Sequence, residues 1–189
     1  MKRKSWTILL IAVLSIMFAL GIAGLCEYLF TRNRPKPLNE TEIKELFTEN
    51  RSDLNRCAEL LYSKPDFWPR MDDTRTYSWS LRLDVDFYSE FFDEEEWNEI
   101  KRVVKKLNPQ EVSYHISVID SVTCYIEFSF LYSESTKEDV RTIDLCYMPA
   151  NGLNETDRQE IINYYIAFRQ VKTERLDNDW YCRIDEGWE

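Results

Sequence analysis

The amino-acid sequence predicts an α+β protein: an N-terminal transmembrane helix followed by an antiparallel sheet of about five strands packed by about three helices. Three observations lead there. Ser5–Cys26 is an uncharged, largely apolar run of 22 residues. Behind it, apolar residues recur at helical spacing in three segments. In five other segments they alternate with period two, giving the order α-β-α-β-β-β-α-β with no internal repeat.

Residues 1–4 form a basic N-terminus, with Lys2, Arg3 and Lys4. Residues 5–30 read as a transmembrane helix or uncleaved signal anchor, because 22 residues at ~1.5 Å each cross a ~30 Å hydrocarbon core. Arg32, Arg34 and Lys36 follow the run, so the flanking basic counts tie. The free amino group and the tight basic cluster tip the N-terminus to the cytoplasm and the domain to the outside. Lipidation at Cys26 is disfavoured, since Leu25 stands where a small residue is required. Ala19-Leu20-Gly21 and Gly21-Ile22-Ala23 offer small residues at signal-cleavage spacing, so secretion after cleavage is the alternative. The apolar run continues past both to full spanning length, which favours a retained anchor. Residues 31–38, with Pro35 and Pro37, form an extended linker.

The acidic α+β domain occupies residues 39–189. Asn39 with Glu42 three residues on is a capping box, and Ile43, Leu46, Phe47, Leu54, Cys57, Ala58 and Leu61 share one helical face. Asn39–Tyr62 is therefore one long helix, ended by the prolines of "SKPDFWP". "YSWSLRLDVDFY" alternates, Tyr77, Trp79, Leu81, Leu83, Val85 and Phe87 facing inward and Asp84 and Asp86 facing solvent. Asp93 caps a second helix with Glu96 at N3 and a Phe92–Trp97 staple. Acids in its first turn and Lys101, Arg102, Lys105 and Lys106 in its last two match the helix dipole. Strands follow at 112–118, 122–132 and 141–147, the first two joined as a hairpin at Asp120 and Ser121. Asn154 caps a third helix carrying Ile161, Ile162, Tyr165, Ile166 and Phe168. A final strand after the "DND" turn turns Trp180, Cys182 and Ile184 inward. The helices are expected on one side of the sheet, with Asp144 among the solvated residues of the other.

Residues 37–189 hold 18 basic and 33 acidic residues, a net charge of −15. Such a domain repels phosphate backbones, which argues against nucleic acid and for a cationic or peptide partner. No C-x-x-C occurs among Cys26, Cys57, Cys124, Cys146 and Cys182, so zinc-ribbon and thioredoxin-type sites have no support. The four domain cysteines are an even number, compatible with disulfides outside the cell. Strand parity opposes a 124–146 bridge and leaves a 124–182 contact open. Cys57, Cys124 and Cys182 lie on apolar stripes, where a thiolate is disfavoured.

No arrangement argues for a catalytic site, a metal or a cofactor. Four glycines in the whole chain leave no phosphate-binding loop. The acids of "DEEE" (93–96) are explained by helix capping. "DVDFYSE" and "DNDWYCRIDEG" begin like calcium loops but lack the glycine at position six. His115, the only histidine, falls on an outward strand face between serines, with no nucleophile turn in the sequence. The sequons at Asn39 and Asn154 coincide with helix caps, and that at Asn50 lies inside the first helix. Trp68 and Trp188 belong to no periodic element; with His115 they form the candidate binding surface.

The basic apolar N-terminus, "LFTENRSDLNRCAELL", the sheet and the closing "LDNDWYCRIDEGW" together resemble small membrane-anchored or secreted proteins of Gram-positive bacteria, whose chains often close with a W-Y strand and whose function is unassigned. The resemblance implies a bacterial envelope setting and carries over no functional residue. The chain is thus expected to be a single-pass protein of the cell membrane whose extracytoplasmic domain is a binding or accessory module. A tethered or secreted hydrolase using acidic residues, and an immunity-type protein facing a toxin, are the alternatives.

Overall fold

The computed structural model describes residues 36–71, 77–117, 123–133, 135, 140–164 and 170–187. The chain divides into Met1–Arg34 and Pro35–Glu189. The expected membrane span lies outside the described residues, and among those described no helix is long and apolar enough to cross a membrane. The domain is α+β, built on one antiparallel sheet of six strands. These are β1 (Ser78–Ser80), β2 (Glu111–Ile116), β3 (Cys124–Leu131), β4 (Thr142–Tyr147), β5 (Gln170–Arg175) and β6 (Trp180–Gly187), in the order β1-β2-β3-β4-β6-β5. Three helices join them, α1 (Glu40–Tyr62), α2 (Glu94–Leu107) and α3 (Glu155–Tyr164), with 3-10 turns at Pro65–Arg70 and Phe87–Glu90.

The helices begin where short polar side chains can satisfy the free backbone donors. Asn39 Oδ1 accepts from the N–H groups of Thr41 and Glu42, and the Glu42 carboxylate accepts from that of Asn39. Asp93 and Glu96 repeat the capping box on α2, with the Phe92 and Trp97 rings 5.7 Å apart beside it. Asn154 Oδ1 accepts from Asp157 N–H at 3.0 Å. Each such cap stabilises its helix by ~1 kcal/mol. Helix α1 is kinked at Asn50 (φ −115°, ψ 15°), whose side-chain amide donates to the Leu46 carbonyl. A side chain inserted into the hydrogen-bond ladder is a sufficient cause of such a kink.

Helices α1 and α2 cover one face of the sheet, where Ile43, Phe47, Leu54, Leu61, Ile100 and Val103 meet the inward residues of β2, β3, β4 and β6. Phe67 sits at the centre of a ring cluster, 5.0–5.8 Å from Trp68, Phe87, Phe91, Phe92 and Trp97. Helix α3 packs Ile161 and Ile162 against Tyr125, Cys146, Met148 and Tyr181 on the other face. The helices are therefore on both sides, not one. The outward strand positions include enough apolar surface at 125, 146 and 181 to bury a helix, and their charged neighbours pair with one another.

Two strands depart from expectation. β1 ends at Ser80, opposite Ser113; one further bond runs from Leu81 N–H to the Val112 carbonyl before the chain turns away, leaving Glu111 of β2 beyond the paired stretch. Leu81, Leu83, Val85 and Phe87 still pack on the core, but from a turn. β5, the sixth strand, was not anticipated: in "QVKTER" only Val171 is strongly apolar. It is an edge strand, and charged side chains are what edges tolerate.

The four domain cysteines are free thiols. A 124–182 bridge is ruled out by register: Cys182 pairs with Leu145, which pairs with Phe128, four residues along β3 from Cys124. Two inter-strand steps of ~4.8 Å and four residues at ~3.3 Å separate them far beyond the ~7 Å limit of a disulfide. Leu38 docks beside the end of β3, donating to the Leu131 carbonyl and accepting from Ser133 N–H, both at 2.8 Å. The linker thus joins the sheet at the end where β4 begins.

Candidate functional site

The three residues expected to form an exposed binding surface do not meet. Trp68 is fully buried, its indole N–H bonded to the Leu61 carbonyl and its ring stacked on Tyr114 at 5.3 Å. The aperiodic "SKPDFWP" is a plug under the aromatic cluster and not a surface loop. Trp188 lies outside the described residues. His115 does occupy the strand face opposite the main core, but it is only 8% exposed and stacks on Tyr125 at 4.7 Å.

Around His115 the second face of the sheet holds a buried ionic network. Asp144 on β4 stands directly opposite Arg183 on β6, and Ser129 on β3 stands opposite Asp144. Arg183 donates from Nε and Nη2 to Asp144 Oδ2 at 3.0 and 2.7 Å, from Nη2 to Glu127 Oε2 at 2.6 Å, and from Nη1 to the Ile162 carbonyl of α3 at 3.0 Å. Ser129 Oγ donates to Glu127 at 2.9 Å, and His115 Nε2 lies 3.6 Å from the same carboxylate. Asp144, expected in solvent, has no exposed surface.

One guanidinium thus serves two buried carboxylates, and their acidities separate. Burial is the dominant influence on Asp144; with Glu127 adding to it and Arg183 opposing, its carboxyl is pushed up to about 6. Burial also acts to raise Glu127, but the charges of Arg183 and His115 and the hydrogen bonds from His115 and Ser129 outweigh it and hold the group below its ordinary value. The network can bind a helix to a sheet. Asp144, Arg183, Glu127 and His115 are all buried.

Three of the four domain thiols are held protonated by burial, and Cys124 is half-buried. Burial pushes Cys57 and Cys182 up to about 12 and Cys146 well above its ordinary value. Cys146 shares a face with His115, yet it sits two strands away and opposite Glu127, not opposite the histidine's partner Tyr125. Among the described residues no group of three or more His, Cys, Asp or Glu is arranged to hold a metal ion. Asp84, in the calcium-like "DVDFYSE", pairs with Arg82, and Asp93 and Glu96 are engaged as caps.

A solvent-connected pocket of about 200 Å³ opens at the end of the sheet where β4 finishes. Its walls include Arg51 and Glu59 of α1, Tyr147 of β4, Asp177 and Asp179 of the β5–β6 turn, and Trp180 at the start of β6. Trp180 Nε1 donates to Asn55 Oδ1 at 2.6 Å, Arg51 forms an ion pair with Asp177, and Arg158 stands 3.6 Å from Asp179. Tyr147 is 8% exposed, and its hydroxyl is pushed up to about 12, by burial first and then by the charges of Glu59 and Asp179. No family model, curated protein or solved structure matches this chain.

Proposed function

We propose that this chain is a membrane-tethered binding module: residues 5–30 anchor it, and the acidic domain faces outside the cell and engages a cationic protein or peptide. The observation that carries the reading is charge. From residue 37 onward acids outnumber bases by 33 to 18. Much of that excess is at the surface, on Glu45, Glu49, Glu59, Asp66, Asp86, Glu94 and Glu95. A surface of this sign attracts cationic partners, speeds their encounter and repels polyanions.

The test is calorimetric titration of the full chain in a mild non-ionic detergent with an arginine-rich hexapeptide and its glutamate-rich counterpart. Saturable binding of the first alone, weakening as salt rises, is expected. No binding of the cationic peptide at low ionic strength would remove the reading, and turnover of a peptide or glycan substrate would replace it with a hydrolase.

A further inference from the structure

The pocket at the far end of β4 joins three features. The first is unbalanced charge. Asp177 is engaged by Arg51 and Asp179 leans on Arg158, but the Glu59 carboxylate forms no ion pair among the described residues. The second is a polar group held ready. Tyr147 is more than nine-tenths buried, and its hydroxyl makes no hydrogen bond among the described residues while lining the cavity between Glu59 and Asp179. The third is rigid support: the Tyr147 ring packs 5.2 Å from that of Trp180, which is buried against Phe47 and Phe128 and fixed by its bond to Asn55. A carboxylate seeking a cation and a rigidly held phenol oxygen able to accept a hydrogen bond together describe a receptor for a hydrogen-bonding organic cation.

Size and position narrow the occupant. At about 200 Å³ the pocket is below the ~300–1,000 Å³ of sites for drug-sized ligands, and suits one side chain. It lies at the end of the sheet opposite Leu38, where the linker joins, with the ~20 Å length of β4 between them.

We infer that this pocket receives the guanidinium or ammonium group of an arginine or lysine side chain, presented by a peptide segment of a partner protein. Glu59 receives the charge, Asp179 adds to it beside Arg158, and Tyr147 Oη, held by the buried Trp180 ring behind it, accepts one N–H. The inference rests on the reading of the domain as a binder of cationic partners and names the subsite.

The experiment uses the full chain in non-ionic detergent, titrated with an arginine-containing hexapeptide, the same peptide with citrulline for arginine, and free arginine. Glu59→Gln and Tyr147→Phe keep the shapes of both side chains. Each is expected to weaken the arginine peptide by about tenfold, the fold-change of losing one hydrogen bond to a charged group. The citrulline peptide should bind more weakly than the arginine peptide by at least as much, and free arginine more weakly still. Near-UV circular dichroism identical to the parent establishes that each variant is folded. If the parent binds the arginine peptide and both folded variants bind it equally well, the pocket is not the site while the cationic-partner reading stands. If the parent binds no cationic peptide, that reading falls and the subsite with it. Citrulline binding as tight as arginine, or free arginine as tight as the peptide, would overturn the side-chain assignment.

Discussion

Replacing Asp144 with Asn should make the domain more stable at neutral pH, although it removes half of a buried ion pair. Asp144 is inaccessible to solvent and shares Arg183 with Glu127, so its carboxyl rises from 3.8 to about 6. A carboxyl whose folded value exceeds its unfolded one stabilises the fold in its protonated form. That stability is complete below the unfolded value of 3.8 and is lost as pH rises through about 6. Over the whole window the loss is on the order of 3 kcal/mol, roughly half of it between about pH 5 and about pH 7.5. Glu127, shifted the other way, loses its contribution only as pH falls below its ordinary range, so it leaves this window undisturbed. Asn copies the neutral acid, keeping an oxygen for Arg183 Nε and Nη2. Thermal unfolding of the full chain in detergent should therefore show the parent melting about 3–6 °C lower at about pH 7.5 than at about pH 5. The Asp144→Asn variant should lack that difference and exceed the parent at the higher pH. The same two curves in a His115→Gln background remove imidazole protonation as a source of the effect. A variant that melts below the parent at both pH values, or a parent flat across the window, would refute the reasoning.

Removing the cation has the opposite consequence. Arg183→Met strands two buried carboxylates and frees the Ile162 carbonyl, and should cost about 3–5 kcal/mol in denaturant unfolding. A loss below about 1 kcal/mol would mean that the face is hydrated and not closed. Trp68→Ala should cost about 3–5 kcal/mol by emptying the plug against Tyr114 and Phe67, and an unchanged midpoint would show the indole at the surface instead.

The parts of the fold legible in the sequence were those set by neighbours in the chain. Asn39 with Glu42, and Asp93 with Glu96, announce their helices through local hydrogen bonds, and the Phe92–Trp97 staple needs no distant partner. The β2–β3 pairing was legible from period and spacing, although its turn lies outside the described residues. The length of β1 was not legible, because the inward residues Leu81, Leu83, Val85 and Phe87 keep the alternating pattern while packing on the core from a turn. β5 was missed because Lys172 and Glu174 are edge residues with no core face to advertise. The ionic face was hidden for a topological reason. Asp144 and Arg183 are 39 residues apart, and each reads as a solvated outward residue until the order β3-β4-β6 sets them side by side. Opposite charges at outward positions of three strands were the available signal, but only strand order could turn it into burial. The pocket likewise draws Glu59, Tyr147 and Asp179 from three elements, and no spacing in the sequence links them.

The most direct measurement of where the domain works is a paired reporter fused after Glu189, one active only outside the cytoplasm and one only inside, read in intact bacterial cells. An anchored, outward-facing module should activate the outside reporter in the membrane fraction. An active inside reporter would contradict it.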